Sequence, residues 1–452
     1  MAFQQGLSGL NTSSKALDVI GNNVANASTV GFKGADAHFA DVYAASLGAG
    51  GANQVGIGTN LSGIVQQFTQ GNVSTTNNTL DVAINGNGFF RLSQNGAISF
   101  SRNGQFHLDK NGFITNDQNL RLTGYPAGQD GTIRKQNPQE LQMTADLLKL
   151  SPVATGQSTG GEYAGARVSV NLDSRVTDKT FSVGATGGVP NIDPAGYNYS
   201  TGLTIYDSLG NPHTMTMYFV KTANPREWSM YTNVDGTRMD GVGDSPSLTT
   251  PVTVTFSDVG QLDSIDGVAV EPNPLAGGVL PEIPISIDLD QVATNLGRVT
   301  WGAQTPLTFN LNLAGTTQYG SAFATNRLLQ DGYSSGNLAG LAIGNDGVIQ
   351  GRYSNGQTRN VGQMVLATFD NPNGLQSIGG NQWIETSTSG QPTVDAPGTG
   401  RLGEVQSNAV EESNVDLTSE LVKMITQQRN YQANAQTIKT QDQIMQTIVN
   451  LR

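Results

Sequence analysis

Apolar residues at both ends of the chain recur at alternating intervals of four and three residues. In the N-terminal segment the recurring apolar residues are Phe3, Leu7, Leu10, Leu17 and Val24. In the C-terminal segment they are Leu417, Leu421, Met424, Tyr431, Ile438, Met445 and Val449. This spacing keeps one side of an α-helix facing a partner, as in a coiled coil. We therefore predict that 1–26 and 413–452 are helices that pair as a coiled-coil stem, and that these residues form the stem and polymerisation interface.

The stripes also indicate contacts with other copies of the chain, although a helical apolar stripe more often belongs to an intramolecular core. They lie at opposite ends of the chain, and polar Gln428 and Asp442 interrupt the second one. At ~1.5 Å per residue, the C-terminal helix would be about 60 Å long, which exceeds the length of its partner. We expect the excess to be buried against neighbouring chains. Ser413 and Asp416 predict a capping box at the start of this helix.

Between the two ends, apolar and polar residues alternate with period two. The apolar sets are Val168/Val170/Leu172, Met215/Met217/Phe219, Val252/Val254/Phe256, Ile283/Ile285/Ile287/Leu289 and Leu307/Phe309/Leu311/Leu313. Such alternation is typical of an antiparallel sheet with one buried face. The fold class that we predict is mainly β with terminal α-helices, with antiparallel β domains in series between an N-terminal helix and a long C-terminal helix.

The order of these patterns predicts the domain division. If the terminal helices pair, the chain must go out through nested domains and come back. The predicted parts are the helical stem (1–26 and 413–452), an extended connector (27–78), a discontinuous first β domain (79–150 and 321–412) and an outer β domain (151–320).

Three Asn-Gly pairs recur every eight residues in the first β domain, at Asn95-Gly96, Asn103-Gly104 and Asn111-Gly112. Asn-Gly is a strong hairpin signal because both residues accept positive φ. We therefore predict a β-meander over residues 80–125.

Composition limits the partners and the chemistry. The net charge is −12 and the pI is near 4.7, which argues against nucleic acid or an anionic membrane as partner. No apolar run approaches the ~20 residues of a membrane span, and the first residues lack the pattern of a cleaved signal peptide. Cysteine is absent, which excludes disulfides and thiolate chemistry. Charged residues make up only 13%, so Asn, Gln, Ser and Thr must supply most of the polar surface.

The sequence offers little support for a catalytic or metal site. Residues 332–336 fit the G-x-S-x-G pattern of a hydrolase nucleophile, but the required histidine would follow the serine. His38, His107 and His213 all precede it, and they are too far apart in sequence to suggest a metal site. The acidic segment 235–244 lacks the final glutamate of a calcium loop. We predict no enzyme activity, no cofactor and no metal.

Several segments resemble one family. Leu17–Lys33 is similar to the N-terminal signature of bacterial flagellar rod and hook proteins, and Leu80–Phe90 is similar to the opening of their first β domain. Ser413–Leu417 and Gln427–Asp442 resemble their C-terminal helix. Within the family, Ile205–Lys221 resembles the hook members, because the shorter rod proteins lack the large central domain.

The resemblance implies an extracellular structural subunit that the flagellar type III apparatus exports without a cleaved signal peptide. It further implies self-assembly into a short curved tube, the joint between the rod and the filament. The implied partners are the distal rod, the hook cap and the hook–filament junction proteins. Two alternatives remain open at this point: a distal rod protein and a secreted β-rich adhesin.

Overall fold

The computed structural model describes residues 2–42, 56–128, 131–158, 164–186, 189–237, 247–270 and 282–450. Most of the acidic segment 235–244 therefore lies outside the described residues. The chain divides into two compact units. Unit 1 comprises residues up to Thr144, Gly340–Arg352 and Thr358 onward, and unit 2 comprises Ala145–Ala339 and Tyr353–Gln357.

The outgoing part of unit 1 begins with one long helix and continues as β-structure. Its elements are α1 (Ala2–Ala25), β1 (Ala35–Val42), β2 (Gly58–Gln66), β3 (Val73–Thr75), β4 (Val82–Asn85), β5 (Phe89–Gln94), β6 (Ala97–Ser101), β7 (His107–Leu108), β8 (Ile114–Thr115), β9 (Arg121–Pro126) and β10 (Gln139–Glu140). Strands β1 and β2 form an antiparallel pair. The predicted connector therefore contains a regular pair of strands. The sequence does not predict this pair, because apolar and polar residues alternate only weakly over 58–66.

Unit 2 contains most of the central strands. Its elements are α2 (Ala145–Leu148), β11 (Lys149–Leu150), β12 (Ala166–Asp173), β13 (Val183–Thr186), β14 (Val189–Ile192), β15 (Tyr199–Tyr206), β16 (Pro212–Lys221), β17 (Glu227–Val234), β18 (Val252–Phe256), β19 (Leu262–Ile265), β20 (Val268–Ala269), β21 (Ile283–Ile287), α3 (Leu289–Asn295), β22 (Leu307–Asn312), β23 (Thr317–Tyr319) and β24 (Ala324–Gln330). The five predicted period-two sets lie on β12, β16, β18, β21 and β22, with Leu289 opening α3 and Leu313 following β22, and their apolar residues are buried.

The returning chain completes unit 1 and ends in a second long helix. Its elements are β25 (Gly336–Ile343), β26 (Val348–Tyr353), β27 (Thr358–Met364), β28 (Leu366–Thr368), β29 (Gln376–Gly379), β30 (Gln382–Ile384), β31 (Thr393–Asp395), β32 (Glu404–Ser407), β33 (Ala409–Glu411) and α4 (Leu417–Asn450). The predicted fold class is confirmed: a helix precedes and a helix follows the β-structure in the sequence, and these two helices pack together.

The main sheet of unit 1 joins outgoing and returning strands in the order β25-β26-β27-β9-β5-β6-β30-β29. Short antiparallel pairs β3–β33 and β4–β32 add further links between the two halves. Edge-to-face aromatic contacts fill the core, with Phe89 5.6 Å from Trp383 and Phe100 4.8 Å from Phe369 between ring centroids. Outgoing and returning segments therefore fold as one body.

The three Asn-Gly pairs adopt different structures. Asn95 and Gly96 have positive φ and close the β5–β6 hairpin as predicted. Gly112 closes the turn between β7 and β8, where its amide donates to Asp109 O at 3.0 Å. The prediction of a hairpin turn at Asn103-Gly104 is wrong. The carbonyl of Gly104 accepts from Val82 N at 2.9 Å, so this pair lies alongside β4.

Two sheets enclose the core of unit 2. One is the antiparallel sheet β15-β16-β17-β18-β19-β20, and the other follows the order β21-β22-β12-β23, with β24 on β12. Trp228, Phe219 and Leu311 are among the side chains buried between them. The predicted antiparallel arrangement has an exception here, because β12 runs parallel to both β22 and β23. A long segment of the chain separates β12 from these strands. The alternation along one strand does not indicate whether a strand distant in sequence runs parallel or antiparallel to it.

A buried histidine joins two turns of unit 2. His213 Nδ1 lies 2.7 Å from Asp235 Oδ2, its Nε2 lies 3.5 Å from Asp207 Oδ2, and the Trp301 ring packs edge-on against the imidazole. Burial lowers the pKa of His213, but hydrogen bonds and charge from the two aspartates outweigh it, so the net pKa is raised. Burial raises the pKa of Asp235, but the hydrogen bond from His213 and the charge of Arg298 help to lower it overall.

We expect the stability of unit 2 to depend on pH through His213. Because the folded-state pKa lies above the ordinary value of 6.5, the stabilisation is complete below that value and is lost as pH rises through the folded pKa. Thermal unfolding between pH 6 and 9 should show the midpoint of unit 2 falling, and His213→Gln should remove this part of the slope. The exposed His38 provides the control His38→Gln; an unchanged slope in His213→Gln would contradict the assignment.

Candidate assembly interface

Helices α1 and α4 pack against each other in opposite directions. Near the start of α1, a Cβ added to Gly6 would lie 3.1 Å from Cγ1 of Ile438, and one at Gly9 would lie 2.7 Å from the side-chain nitrogen of Asn434. Near the end of α1, Asn23 Nδ2 donates to Glu420 Oε2 at 3.2 Å. Contacts that pair early residues of α1 with late residues of α4 define an antiparallel pair. We call these two paired helices the stem.

The buried side of α1 is one residue out of register with the predicted stripe. Its buried residues are Gly6, Ser13, Ala16, Ile20 and Asn23. Most of these side chains are small, which lets the backbones approach closely. One residue corresponds to a rotation of about 100°, so the bulky predicted stripe lies beside the seam and not within it.

The predicted interface residues therefore fall into two groups. Leu10, Leu17, Val24, Met424 and Ile438 are partly buried. The exposed ones are Phe3 (52%), Leu7 (45%), Leu417 (47%), Leu421 (43%), Tyr431 (38%), Met445 (60%) and Val449 (70%). Among the side chains of α4 whose burial is described, Val422, Ile425 and Ile444 are further large apolar residues that are exposed, and the heptad spacing does not predict them. We call the exposed apolar residues of both helices the stem stripe.

Helix α4 extends beyond its partner. It has 34 residues against 24 in α1. Since Gly6 faces Ile438, the first residues of α1 reach only to about Asp442. Ile444, Met445 and Val449 lie beyond that point and are exposed. The end of α4 thus has an apolar surface that α1 does not cover.

The start of α4 differs from the predicted capping box. Helix α4 begins at Leu417, and Asp416 Oδ1 accepts from Thr418 N at 2.8 Å and from Ser419 N at 3.2 Å. Ser413 Oγ instead accepts from Val415 N at 3.3 Å, outside the helix. Asp416 therefore provides the cap alone.

A buried ionic group lies at the base of the stem. Lys33 Nζ is 2.6 Å from Glu411 Oε1, and Arg102 Nε is 3.0 Å from Glu411 Oε2. The side chains are at most 4% exposed. Burial and the charge of Arg102 lower the pKa of Lys33, while Glu411 opposes this shift; burial also lowers the pKa of Arg102. Two cations thus share one carboxylate, and we call these three residues the root cluster.

Two asparagines tie the same region together. Asn23 exchanges hydrogen bonds with the backbone of Ala35, where β1 begins, in addition to its bond to Glu420. Asn414 accepts from Gly34 N at 2.8 Å and donates to Gln67 O at 2.7 Å. The end of α1, the segment that leads into α4 and the β1–β2 pair are therefore connected through Asn23, which is buried, and Asn414, which is partly buried.

Sequence reasoning did not identify the root cluster. Lys33 lies at the end of the segment that resembles the rod and hook proteins, but its partners are distant in sequence. Glu411 and Arg102 have no local pattern that distinguishes them from surface charges. Tertiary pairing brings them together: β33 with Glu411 pairs with β3, and the segment after Arg102 lies alongside β4, which pairs with β32.

The remaining candidate chemistry has structural roles in the described residues. In the G-x-S-x-G segment, Tyr333 exchanges backbone hydrogen bonds with Val153 at 2.9 and 3.0 Å. Within the described ranges, no group of three or more His, Asp or Glu side chains is arranged to hold a metal ion. The helices of these ranges include none with the length and apolar character needed to cross a membrane.

Family models match four parts of the chain. They are described as Flagella basal body rod protein (residues 3–33), Flagellar hook protein FlgE/F/G D1 domain (83–190), Flagellar basal body protein FlaE D2 domain (171–333) and Flagellar basal body rod FlgEFG protein C-terminal (406–451). Paired terminal helices around nested β-structure, together with these matches, place the chain in the class of flagellar rod and hook proteins.

Full-length relatives identify the family within this class. The chain is 41% identical to the flagellar hook protein FlgE of Salmonella typhimurium and 40% identical to that of Escherichia coli, in each case over 100% of both chains. It is 32% identical to the flagellar hook protein FlgE of Borreliella burgdorferi, over 100% of this chain and 99% of the relative. The chain belongs to the flagellar hook protein family.

Proposed function

We propose that the chain polymerises through the stem stripe into a curved tube that transmits motor torque from rod to filament as a universal joint. The observation that carries this proposal is the apolar surface that pairing of the two helices leaves exposed, including the uncovered end of α4. Large apolar side chains that stay exposed on the paired helices favour a protein partner. Heptad spacing on both helices favours a second helical pair, which another copy provides.

The proposed tube has a stiff inner part and a compliant outer part. Close-packed helices resist deformation, whereas polar surface contacts contribute little each and can be exchanged. The composition supports this division, because only 13% of the residues are charged and Asn, Gln, Ser and Thr are abundant. We retain the predicted stem, connector, first β domain and outer β domain as the functional parts, with the outer β domain of 151–320 allowing subunits to slide during bending.

The proposal includes partners and location. The subunit would be exported by the flagellar type III apparatus without a cleaved signal peptide and would reside in the extracellular hook. It would meet the distal rod at one end and the hook–filament junction at the other, with a cap at the growing end. Its role is structural and involves no catalysis or cofactor.

Electron microscopy of the purified chain tests the proposal. We expect the full chain to form short curved tubes under polymerising conditions, and a chain lacking 1–26 and 413–452 to remain monomeric with folded unit 2. Failure of the full chain to support hook formation in a hookless strain would contradict the proposed function. Tubes from the truncated chain would contradict the role of the stem.

A further inference from the structure

The root cluster lies where the chain leaves the stem and where it returns to it. Lys33 is in the segment that follows α1, and Glu411 ends β33 in the segment that leads to α4. Backbone contacts converge on the same glutamate: Gly31 N donates to its carbonyl at 2.7 Å, and Gly71 N donates to Oε1 at 2.9 Å. The connections of both stem helices therefore meet at one side chain.

Arg102 fastens this meeting point to the main sheet. Its Nη1 donates to Gly88 O at 2.5 Å and its Nη2 to Gly86 O at 2.9 Å, in the turn between β4 and β5. Its Nε faces Glu411, so one rigid guanidinium spans the carboxylate and the turn. Lys33 contacts the other carboxylate oxygen of Glu411, Oε1, and also donates a hydrogen bond to Thr69 O at 2.7 Å. Each charged group is held by contacts in at least two directions.

Such a cluster fixes the relative orientation of the parts that it joins more than it adds to the free energy of unfolding. Burying charges has a desolvation cost that roughly offsets their attraction, and apolar side chains of similar volume are often at least as stable. Charged hydrogen bonds require specific angles, however, whereas apolar contacts tolerate sliding. A fully buried ionic group at a junction therefore restricts how one part turns relative to the other.

We propose that the root cluster fixes the direction of the stem on the main sheet of unit 1 and carries torsional load between them. This inference rests on the proposed function, since only a torque-transmitting subunit places load on this junction. Lys33 and Arg102 act as positioning residues: Arg102 holds Glu411 on the sheet, and Lys33 ties the segment after α1 to the same carboxylate.

The test uses Lys33→Met in the full chain, produced as the only hook protein in a hookless strain. This variant leaves Arg102 and Glu411 as a balanced pair, so it creates no uncompensated buried charge. The control is Lys110→Met, the same change at an exposed lysine of unit 1 outside the stem. We expect Lys33→Met hooks to show a loss of torsional stiffness in a tethered-cell measurement, while Lys110→Met hooks match the unsubstituted chain.

A second measurement separates positioning from folding. The thermal transition of the β-structure is recorded for each purified chain, and positioning predicts that it stays unchanged in Lys33→Met. If Lys33→Met formed no hooks while the purified chain kept its thermal transition, the positioning of the stem would be lost more completely, which agrees with the proposal. Equal stiffness, or softening that accompanies a lowered transition, would overturn the proposal. Absence of hooks from the unsubstituted chain would refute the proposed function, and this inference with it.

Discussion

Leu421→Asp is expected to abolish tube assembly while leaving the folded monomer nearly unchanged. Leu421 is part of the stem stripe and is 43% exposed, so the substitution changes few intramolecular contacts. We expect the free energy of unfolding to fall by less than about 1 kcal/mol, mainly from helix propensity. In an assembled tube the same aspartate would be buried against an apolar neighbour without a partner, which is costly. Sedimentation and electron microscopy measure assembly, and thermal unfolding measures the monomer.

Two controls make the result specific. Leu421→Met keeps an apolar side chain and should assemble. Leu148→Asp introduces the same charge at an exposed leucine of α2, outside the stem, and should assemble as well. Normal tubes from Leu421→Asp would show that this part of the stem stripe is not an interface.

We expect Glu411→Gln to cause a large fall in the free energy of unfolding of unit 1. The substitution removes the negative charge between Lys33 and Arg102 and leaves two cations buried without compensation. Removing one partner of a buried ion pair typically costs about 3–5 kcal/mol. Urea unfolding of the purified chain should show this loss in unit 1, with the transition of unit 2 unchanged.

The neighbouring glutamate provides the matched control for this experiment. Glu412 is exposed, and its carboxylate accepts a single long hydrogen bond from Asn72 at 3.3 Å. We expect Glu412→Gln to change the free energy of unfolding by no more than about 0.5 kcal/mol, as is usual for surface substitutions. Equal effects of the two substitutions would contradict the account of the root cluster.

The sequence predicted those features that a local pattern determines. Alternation over Val168–Leu172 identified a strand because side chains on one face must all be buried together. Heptad spacing identified both terminal helices because residues three and four apart lie on one side of a helix, although most of the residues with this spacing stay exposed in the chain. Asn95-Gly96 was predicted correctly because its own backbone preferences favour the turn, whereas the contacts of Gly104 with β4 depend on residues outside the local pattern.

Features that depend on tertiary contacts escaped prediction. The buried side of α1 contains one large apolar residue, Ile20, while Gly6, Ser13 and Ala16 carry almost no hydrophobic signal, so the bulkier neighbouring stripe dominated the pattern. Small residues in a seam contribute through close approach, which depends on the shape of the partner. The root cluster joins charges that are up to 378 residues apart, as with Lys33 and Glu411. No spacing rule connects residues at that separation.

Assembly through the stem stripe can be tested by a helical reconstruction of the assembled tube by cryo-electron microscopy, at a resolution that shows side chains. We expect Leu7, Leu421 and Met445 to be covered by α1 or α4 of neighbouring subunits. We also expect the end of α4 to lie against another stem. A map in which these side chains face water or the tube's channel, with subunits joined only through their β-structure, would contradict the claim that the stem stripe builds the hook.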